Sequence, residues 1–440
     1  MRLATGPSPG HHGRVNHSGI LDDLAARGLI SDTSDRESLG ARLAEGPIQL
    51  YCGFDPTADS LHVGNLVPLA TLRRFQLFGH KPIVLAGGAT GMIGDPSGRS
   101  SERNLLDDDA LARNLELVTP QLRRFLDFDG ESAARLFDNR AWTVHQSMLD
   151  FMRDVGKHVT INTMIGKESV KNRLASSDGI SYTEFSYMLL QAHDFLWLYE
   201  NEGCEMQIGG SDQWGNISLG IDLIRRRTAS HAHGLTVPLL TRSDGTKYGK
   251  TAGGDQIWLG DHRMSPYRFY QSWIQAPDED IEKLLLRLTF LDLGEIASVV
   301  ADHGADPGQR LGQRTLAREL SNLVHGEAAT AAAEQASAIL FGQPVDDITA
   351  EALDTIAGEV PSAVIDRDSL GQGMDLVDLL VTAELATSKG DARRAIEQNS
   401  ISVNGKRHDG DVTIGTATLL HDRHLLLRRG RKRYVVVAAE

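Results

Sequence analysis

Cysteine and long apolar runs are scarce in this sequence. Cys52 and Cys204 are the only cysteines in 440 residues, and they stand far apart without a C-x-x-C spacing. This excludes a disulfide framework, argues against a structural zinc site and is typical of a reducing compartment. No apolar run reaches the ~20 residues that span a membrane, and residues 1–19 lack the apolar centre of a signal peptide. We therefore expect a cytoplasmic protein that does not interact with a membrane.

Basic residues are in the minority, with 45 Lys and Arg against 59 Asp and Glu and a net charge of −14. This excess of negative charge at first disfavours binding to nucleic acid. The charge is uneven, however, because residues 374–440 hold 11 Lys and Arg against 9 Asp and Glu, and six of those basic residues fall within 423–433. Since local charge decides phosphate contact, the tail of the chain is a candidate surface for it.

Apolar runs alternate with helical patterns in the first part of the chain. The runs at 48–54 and 82–86 flank the helical stretch LVPLATLRRFQLFG, an order that indicates a parallel α/β sheet. Residues 105–200 are mostly helical in pattern, and another strand-like segment begins at 205. We predict two halves of one nucleotide-binding sheet, separated by an insertion. A helical region, a polar linker and a tail of helices and strands follow at 265–360, 361–373 and 374–440.

The segment PTADSLHVGN, which follows the first strand, allows two interpretations. Asp59 or Ser60 can cap a helix there, which makes a simple turn. Alternatively, His62 and Asn65 lie three residues apart on one face of the helix start, with Gly64 leaving room between them. A helix N-terminus with polar side chains is a site for an anion such as phosphate. The segment by itself leaves both interpretations open.

Two glycine-rich loops look like well-known nucleotide-binding motifs but fail on spacing. GGATGMIGDPSG has G-x-x-G-x-x-G, where a dinucleotide fingerprint needs G-x-G-x-x-G. DGTKYGKT ends like a P-loop but has three residues between its glycines instead of four. Its Lys247, Lys250 and Thr251 can still reach a polyphosphate, although a solvated turn explains them equally well.

Polar residues also occur where the pattern predicts burial. IGGSDQWGNI places them at a strand end, where ligands bind in open α/β sheets, although a tight turn around Asp212 is the alternative. In the apolar helix TEFSYMLLQAHDFLWLYE, Tyr187, Gln191 and Asp194 fall on one face. Such a stripe faces either solvent or a polar cavity, and a helix that is apolar on its other sides favours the cavity.

Five segments occur in order along the chain: YCGFDPTADSLHVGN, GGATGMIGDPSG, TEFSYMLLQAHDF, IGGSDQWGN and DGTKYGKT. Together they resemble the bacterial tyrosyl-tRNA synthetases, class I enzymes, over nearly the whole chain. PTADSLHVGN resembles the HIGH signature, with Asn65 in place of the final His, and KYGKT resembles the KMSKS signature with both lysines kept. The resemblance implies that tyrosine attacks the α-phosphate of ATP to give tyrosyl-adenylate and pyrophosphate. The tyrosyl group would then pass to the 3′ end of tRNA(Tyr).

The resemblance also implies roles for individual residues. The catalytic group around the departing pyrophosphate would comprise Thr57, His62, Lys247, Lys250, Thr251, Arg99 and Arg103. Contacts to ATP would come from Cys52, Gly53, Asp55, His62, Gly64, Asn65, Gly210, Asp212 and Lys250. The tyrosine pocket would have Tyr51 and Asp194 at the phenolic hydroxyl, Asp95, Tyr187 and Gln191 around the ammonium group, Gln213 near the carboxylate, and Thr90 and Asn139 at the edge.

The family pattern further implies an architecture and partners. We expect an N-terminal extension and helical lead-in at 1–47, a Rossmann-like parallel-sheet catalytic domain at 48–264 with a helical insertion at about 101–200, an all-helical anticodon-binding domain at 265–360, a linker at 361–373 and a small α+β RNA-binding domain of the S-four type at 374–440. We also expect a homodimer that uses tyrosine, tRNA(Tyr) and ATP with Mg²⁺ as substrates, with no tightly bound cofactor and no dedicated metal ligand.

Two other functions remain open from the sequence. Tryptophanyl-tRNA synthetases are closely similar, but Tyr51 with Asp194, and the appended tail, favour tyrosine. An RNA-binding protein with a vestigial synthetase site is the second alternative, and the presence of His62, Lys247 and Lys250 argues against it.

Overall fold

The computed structural model describes residues 17–97, 106–175, 179–249, 256–408, 410 and 412–440. The chain forms two compact units. The first unit comprises the described residues up to Met264 together with Ile274–Val324, and the second comprises Ser265–Trp273 and His325–Glu440.

A six-stranded sheet forms the centre of the first unit. Its strands are β1 (Asp32–Thr33), β2 (Gln49–Phe54), β3 (Lys81–Ala86), β4 (Arg135–Asp138), β5 (Cys204–Gly210) and β6 (His233–Val237). They lie in the order β1-β6-β5-β2-β3-β4, with β2 to β6 parallel and the short β1 antiparallel at one edge. β3 and β6 are almost entirely buried, as expected for parallel strands that helices cover. The α/β class predicted from the sequence is confirmed.

Helices of the first unit pack against this sheet and beside it. They are α1 (Ile20–Ala26), α2 (Arg36–Ala44), α3 (Leu66–Leu77), α4 (Asp108–Arg124), α5 (Arg140–Thr143), α6 (Met148–Asp154), α7 (Ile161–Ile165), α8 (Glu168–Leu174), α9 (Tyr182–Glu202) and α10 (Trp214–Thr228). α12 (Ile281–Leu288), α13 (Leu293–Ala305) and α14 (Leu311–His325) also belong to this unit, apart from His325. α11 (Pro266–Ile274) precedes them in the chain and, up to Trp273, belongs to the second unit. The insertion was expected to be mostly helical, and besides its helices it contributes β4, which pairs with β3 at the sheet edge.

The ends of α9 follow from its local sequence. The Ser181 hydroxyl accepts a hydrogen bond from the backbone N–H of Glu184, which caps the first turn. Gly203 adopts φ 66°, a left-handed conformation that glycine enters without strain, and it ends the helix directly before β5. The helix therefore runs antiparallel to the following strand, and the two are in contact.

The strand order reverses beside β2. The chain continues from β2 to β3 and β4 on one side, whereas β5 and β6 lie on the other side. In an open parallel sheet, the loops leaving the carboxyl ends of strands at such a reversal separate and leave a crevice for a ligand. The topology therefore points to the loops after β2 and β5 as the binding site.

The second unit combines helices with a five-stranded sheet. Its later helices are α15 (Glu327–Leu340), α16 (Ala350–Glu359), α17 (Arg367–Gly371), α18 (Leu376–Thr382) and α19 (Lys389–Glu397). Its strands are β7 (Ser362–Ile365), β8 (Met374–Asp375), β9 (Ile401–Val403), β10 (Lys406–Arg407), β11 (Thr413–Ile414), β12 (His424–Arg429) and β13 (Arg433–Ala439). The main sheet has the order β10-β9-β12-β13-β7, and β11 pairs with β8 separately.

Residues 361–373 differ from the linker that we expected. Their first part forms β7, which pairs parallel with β13, and α17 follows. Ile365 is buried in the apolar core that α18, α19 and the sheet share. The polar residues of the segment had suggested a linker, but the alternation in SAVI allows an edge strand with one apolar face. Among the described residues, no helix has both the length and the apolar character that crossing a membrane requires.

Candidate active site

Four loops meet above the carboxyl ends of the parallel strands. Asp55 follows β2, Thr90 follows β3, Asn139 follows β4, and Gln213 lies on the turn after β5. Hydrogen bonds between side chains connect these loops with one another and with the polar stripe of α9. The predicted tyrosine-pocket residues are therefore brought together in one place, although they are spread over more than 160 positions in the sequence.

Asp194 on α9 is buried and held by two donors. Asn139 Nδ2 donates to Asp194 Oδ2 at 2.9 Å, and Trp142 Nε1 donates to Asp194 Oδ1 at 2.8 Å. Burial raises the pKa of Asp194 to about 7, because removal from water disfavours its charged form more than the two hydrogen bonds stabilise it. The ring of Trp142 stacks on Trp197 at 4.1 Å between ring centroids, which fixes the orientation of its N–H. The site thus contains a carboxyl group with limited solvation and a fixed direction.

Tyr51 lies in the same buried region. Its side chain is 1% exposed, and its hydroxyl has no hydrogen-bond partner among the described residues. Burial, and then the charge of Asp194, raise the pKa of Tyr51 well above its ordinary value. Gln207, its neighbour across β2 and β5, is also buried, and its Oε1 likewise lacks a described partner. Buried polar atoms without partners are rare in folded proteins, and here they mark a place for a polar ligand group.

Asp55 links the stripe of α9 to the loop after β3. Thr90 Oγ1 donates to Asp55 Oδ1 at 2.7 Å, and the Tyr187 hydroxyl donates to Asp55 Oδ2 at 2.7 Å. Asn139 Nδ2 also donates to Thr90 Oγ1 at 2.9 Å, so the network continues to Asp194. A Cβ atom at Gly87 would lie 2.0 Å from Asp55 Oδ1, so a larger residue there would displace the Asp55 carboxylate from these contacts. The network holds two carboxylates and a phenol in fixed relative positions.

A second polar cluster lies beside Tyr187. Gln213 Nε2 donates to Asp95 Oδ2 at 2.7 Å, and Asn216 Nδ2 donates to Gln191 Oε1 at 2.9 Å and to Gln213 Oε1 at 3.2 Å. Burial raises the pKa of Tyr187, and the charges of Asp55 and Asp95 raise it further. The stripe Tyr187, Gln191, Asp194 therefore faces a polar interior and not bulk solvent, as the cavity interpretation predicted.

His62 fits both interpretations of PTADSLHVGN, the capped turn and the anion site. Residues 63–65 form a short 3₁₀ turn before α3, and His62 is its cap, in place of Asp59 or Ser60. His62 Nδ1 accepts from the backbone N–H of Gly64 at 3.0 Å, and the backbone N–H of His62 donates to Asn65 Oδ1 at 3.0 Å. Since Nδ1 is the acceptor, the hydrogen of the neutral ring lies on Nε2, which can donate to an anion.

Gly64 lies where a side chain would collide with the ring of His62. A Cβ atom there would lie 2.7 Å from His62 Cε1, so glycine allows the ring to fold back over its own turn. Nearby, Gly53 is exposed with open space around its Cα, Thr57 is exposed, and burial raises the pKa of Cys52 to about 12. Cys52 is therefore an uncharged thiol at this position.

The loop that carries Lys247 is anchored at its base. Ser243 Oγ donates to Asp280 Oδ1 at 2.5 Å, next to α12, and the guanidinium of Arg242 lies 5.0 Å from the ring centroid of Tyr248. Lys247 itself is exposed. Burial and then Asp95 raise the pKa of Asp212, and the positive charge of Lys247 acts against this rise. The charge of Lys247 therefore acts on Asp212, which lies next to Gly210 at the end of β5.

Other predicted residues fall outside what the structure describes. They are Arg99, Arg103, Lys250 and Thr251. Within the described ranges, no cluster of three His, Cys, Asp or Glu side chains has the arrangement of a metal site.

Three residues of the site were not singled out from the sequence: Trp142, Gln207 and Asn216. Trp142 follows Asn139 by three residues on a short helix, Gln207 is a polar residue in an otherwise apolar strand, and Asn216 belongs to the segment IGGSDQWGN. The local signals were the unexpected polarity of Gln207 and the position of Asn216 in that polar segment.

Comparison with known proteins gives two matching family models. The one described as "tRNA synthetases class I (W and Y)" matches residues 43–342, and the one described as "Tyrosine--tRNA ligase SYY-like C-terminal domain" matches residues 352–437. The tyrosine–tRNA ligase of Opitutus terrae is 55% identical over 421 residues, which are 95% of this chain and 99% of that protein. The tyrosine–tRNA ligase of Roseiflexus castenholzii is 49% identical over 424 residues, again 95% and 99%.

Solved structures of synthetases are also similar to this chain. A C-terminally truncated mitochondrial tyrosyl-tRNA synthetase of Aspergillus nidulans superposes with a TM-score of 0.67 at 31% identity, covering 73% of this chain and 94% of that one. A tryptophanyl-tRNA synthetase of Plasmodium falciparum superposes with a TM-score of 0.52 at 13% identity, covering 71% and 84%. At that identity the second match shows a shared fold alone.

Proposed function

The chain belongs to the class I tRNA synthetases of the tryptophan and tyrosine group and has the function of a tyrosine–tRNA ligase, and we propose that the crevice at the ends of β2 and β5 carries out its reaction. The observation that supports this most directly is the pairing of a fixed, buried carboxyl group at Asp194 with a buried hydroxyl at Tyr51 that lacks a described partner. A phenol entering this place satisfies both groups.

Selection of tyrosine over phenylalanine follows from the same pair. A phenylalanine ring would fill the pocket but leave Asp194 and Tyr51 without the hydrogen bonds that a substrate hydroxyl provides. Leaving buried polar groups unpaired costs far more than a missing methylene in an apolar pocket, and tyrosyl-tRNA synthetases are the standard case of this discrimination. Gln207, buried beside Tyr51, contributes a further acceptor.

We infer that the second polar cluster binds the amino-acid end of tyrosine. Asp95 and the Tyr187 hydroxyl suit an ammonium group as charged and neutral acceptors, and Gln191 adds an amide oxygen. Gln213 and Asn216 can offer amide hydrogens to the substrate carboxylate once their present contacts rearrange. Thr90 and Asn139 hold Asp55 and Asp194 in place, so they are positioning residues in this proposal.

Adenylate formation needs no general base, because the attacking carboxylate of tyrosine is already ionised. The protein must therefore align the carboxylate with the α-phosphate and stabilise the charge on the departing pyrophosphate. His62 suits this role through its Nε2–H, Thr57 through its exposed hydroxyl, and Lys247 through its charge. By family likeness Lys250, Thr251, Arg99 and Arg103 belong to the same group. Contacts to ATP are assigned to Cys52, Gly53, Asp55, Gly64, Asn65, Gly210 and Asp212. ATP enters together with Mg²⁺ as a substrate.

We propose that the partner in solution is a second copy of the chain. Apolar side chains of the insertion are unusually exposed, and those between 144 and 165 are Val144, Met148, Leu149, Met152, Ile161 and Ile165, with exposed fractions of 41% to 79%. Soluble monomers rarely expose large apolar surfaces, and six such side chains within 22 positions favour a shared surface. A twofold axis can cover it, because one patch then packs against its own copy. Both cysteines are buried and unpaired, which agrees with a reducing cytoplasm.

The test of this function is amino-acid-dependent exchange of pyrophosphate into ATP. Each of the twenty amino acids is offered separately to the purified full chain. We expect exchange with tyrosine alone. Exchange with tryptophan would transfer the assignment to the other branch of the family, and absence of exchange with every amino acid would contradict the proposal that this site is active.

A further inference from the structure

Residues 240–249, which carry Lys247, form a small hairpin in the first unit that we call the signature hairpin. The backbone N–H of Tyr248 donates to the carbonyl of Leu240 at 2.7 Å, and Thr241 and Lys247 form an antiparallel bridge. Neighbouring side chains of an extended segment point to opposite faces. Tyr248 is accordingly buried, whereas Lys247 is exposed. The contacts that hold Tyr248 inward therefore also decide the direction of Lys247.

Asp280 occupies the N-cap position of α12 but does not cap that helix. Its carboxylate is fully buried and accepts no hydrogen bond from the described first turn of α12. Instead, Oδ1 accepts from Ser243 Oγ at 2.5 Å and from Lys283 Nζ at 2.9 Å. Asp292 shows the ordinary arrangement, because its carboxylate accepts from the backbone N–H of Glu295 and so caps α13. The carboxylate of Asp280 is thus directed to the signature hairpin and not to its own helix.

The charge of Asp280 also acts on the hydroxyl of Tyr248. Burial, and then the negative charge of Asp280, raise the pKa of Tyr248 to about 12. Asp280 Oδ2 is buried and has no hydrogen-bond partner among the described residues, so it can accept from this hydroxyl. Ser243 and Tyr248 lie on either side of the turn at Gly245, which has φ 82°. One carboxylate therefore holds both arms of the signature hairpin.

The chain that leaves the signature hairpin is joined to the segment of His62. The backbone N–H of Ile257 donates to the carbonyl of Gly249 at 2.9 Å, and the N–H of Val63 donates to the carbonyl of Ile257 at 3.0 Å. His62 and Trp258 form an antiparallel bridge, and their rings meet edge-on with 6.4 Å between centroids. The hairpin is therefore connected through the backbone to His62 and through side chains to α12.

The far end of α12 is fixed to the helix that follows His62. Arg74 on α3 donates through Nη2 to the backbone carbonyl of Thr289, and Arg27 on α1 donates through Nη1 to the carbonyl of Leu286 at 3.3 Å. Both arginine side chains are buried. Because burial makes such hydrogen bonds costly to lose, α12 is a firm support for the carboxylate at its start.

We propose that Asp280 is a positioning residue for adenylate formation, which holds the signature hairpin so that Lys247 faces the departing pyrophosphate together with His62. This rests on the proposed function, in which Lys247 stabilises the charge on that pyrophosphate. Asp280 touches neither substrate, and its effect passes through Ser243 and Tyr248. Small displacements of a charge that acts in the transition state lower the rate strongly while leaving substrate binding nearly unchanged.

Single-turnover formation of tyrosyl-adenylate by the full chain, over a range of ATP concentrations, measures this effect. We expect D280N to lower the rate constant at saturating ATP by about tenfold, and S243A and Y248F to lower it by about threefold each. The Kd for tyrosine, measured by equilibrium dialysis, should keep its wild-type value, because the pocket around Asp194 is unaltered. S243A and Y248F each remove a single hydroxyl, so they test the proposal even if D280N does not fold.

A double-mutant cycle with K247A separates positioning from a general loss of structure. If Asp280 acts through Lys247, D280N should slow adenylate formation in the wild-type background and have no further effect in the K247A background. S243A and Y248F should show the same dependence on Lys247. Equal effects of these substitutions in both backgrounds would overturn the proposal.

The matched control is D292A, which removes the capping carboxylate from the next helix of the same region. The described hydrogen bonds of Asp292 are confined to α13. D292A should lower the midpoint of urea unfolding and leave the rate of adenylate formation unchanged. The proposal is contradicted if D292A slows adenylate formation as much as D280N does, or if D280N, S243A and Y248F all react at the wild-type rate.

Tyrosine-dependent pyrophosphate exchange by the wild-type chain distinguishes this proposal from the function on which it rests. Absence of exchange in the wild type would contradict the proposed function. Normal exchange in the wild type, with unaltered adenylate formation in all three variants, would contradict the positioning role of Asp280 alone.

Discussion

Asp194 illustrates how a single carboxyl group is adjusted by its surroundings. The apolar residues of α9 bury it, and Asn139 and Trp142 supply the only hydrogen bonds to it that the described residues show. Burial raises its pKa to about 7 from an ordinary value of 3.8. Such a group is costly to the fold when it is charged, and a bound substrate hydroxyl offsets part of that cost. The buried Asp194 therefore serves substrate binding in the proposed function and lowers the stability of the fold.

A pH-dependent loss of stability follows from this shift. Below about pH 4 the carboxyl group is protonated in both the folded and the unfolded chain. As pH rises from about 4 to about 7 the unfolded chain releases its proton while the folded chain keeps it, so the free energy of unfolding falls. We expect this fall to reach about 4 kcal/mol relative to Asp194→Asn, which has no proton to release.

Urea unfolding of the wild-type chain and of Asp194→Asn at a series of pH values measures the difference. The other titrating groups are common to the two proteins, so they cancel apart from the coupling of Asp194 to Asp55 and Asp138. Parallel curves for the two proteins between pH 4 and pH 7 would show that the folded carboxyl group has an ordinary pKa, which would contradict this prediction.

At the scale of elements, the 3₁₀ turn at 63–65 gives His62 two tasks. Its ring caps the turn through Nδ1. In the proposed reaction its Nε2–H donates to the departing pyrophosphate. Removing the ring with His62→Ala should cost about 1 kcal/mol of stability for the cap. The same change should raise the barrier to adenylate formation by roughly 1.5–3 kcal/mol, the usual value for a hydrogen bond to a charged group.

His62→Asn separates the two tasks. Asparagine is a good capping residue, so stability should return toward the wild-type value, while the rate of adenylate formation should remain low. Single-turnover adenylate formation over a range of ATP concentrations, together with urea unfolding, measures both effects. If the rate recovers along with stability, His62 acts only as a cap. Weaker ATP binding at an unchanged rate constant would make it an anchor for the ground state.

The tail elements also proved less separate than their sequence suggested. Leu426, Tyr434 and Val436 of β12 and β13 pack in one apolar cluster with residues of α15 and α16. The Tyr434 hydroxyl donates to the backbone carbonyl of Ile339 at 3.0 Å. A chain cut after Gly373 would lose one side of this cluster, so truncation would disturb the helical part of the second unit as well as remove the tail.

At the scale of the whole molecule, the proposed homodimer buries the exposed apolar side chains of the insertion. Leu149→Arg places a charge on a side chain that is 79% exposed, so the fold of the single chain should not suffer. In a dimer the same charge would be buried without a partner, which costs several kcal/mol. We expect the dimer to dissociate, with Kd for self-association raised roughly tenfold or more.

Sedimentation velocity over a range of protein concentrations measures this change. Val364→Arg is the control, because it adds the same charge to another exposed apolar side chain, 60% exposed, in the second unit. It should leave self-association unaltered. A wild-type chain that sediments as a monomer at every concentration would contradict the homodimer, and equal effects of both substitutions would contradict the assignment of the patch.

The sequence by itself determined the features that depend on neighbouring residues. The alternation of apolar strands and helices predicted the parallel sheet, because burial between covering helices requires that pattern. The spacing of Tyr187, Gln191 and Asp194 predicted a polar face on α9, because residues three and four apart share a helix face. The signature segments assigned the same loops that the strand order later placed at the crevice. These are local consequences of chain geometry.

Contacts between distant segments were decided only by the tertiary structure. Trp142 reaches Asp194 across 52 positions, and Tyr51 meets Gln207 only because β5 inserts beside β2. Phe341 joins the arginines of the tail through the fold of the second unit, and β7 is ordered by its pairing with β13. Strand pairing and burial between segments carry no local periodicity, since the energy that selects them comes from the packed core and not from the neighbours along the chain.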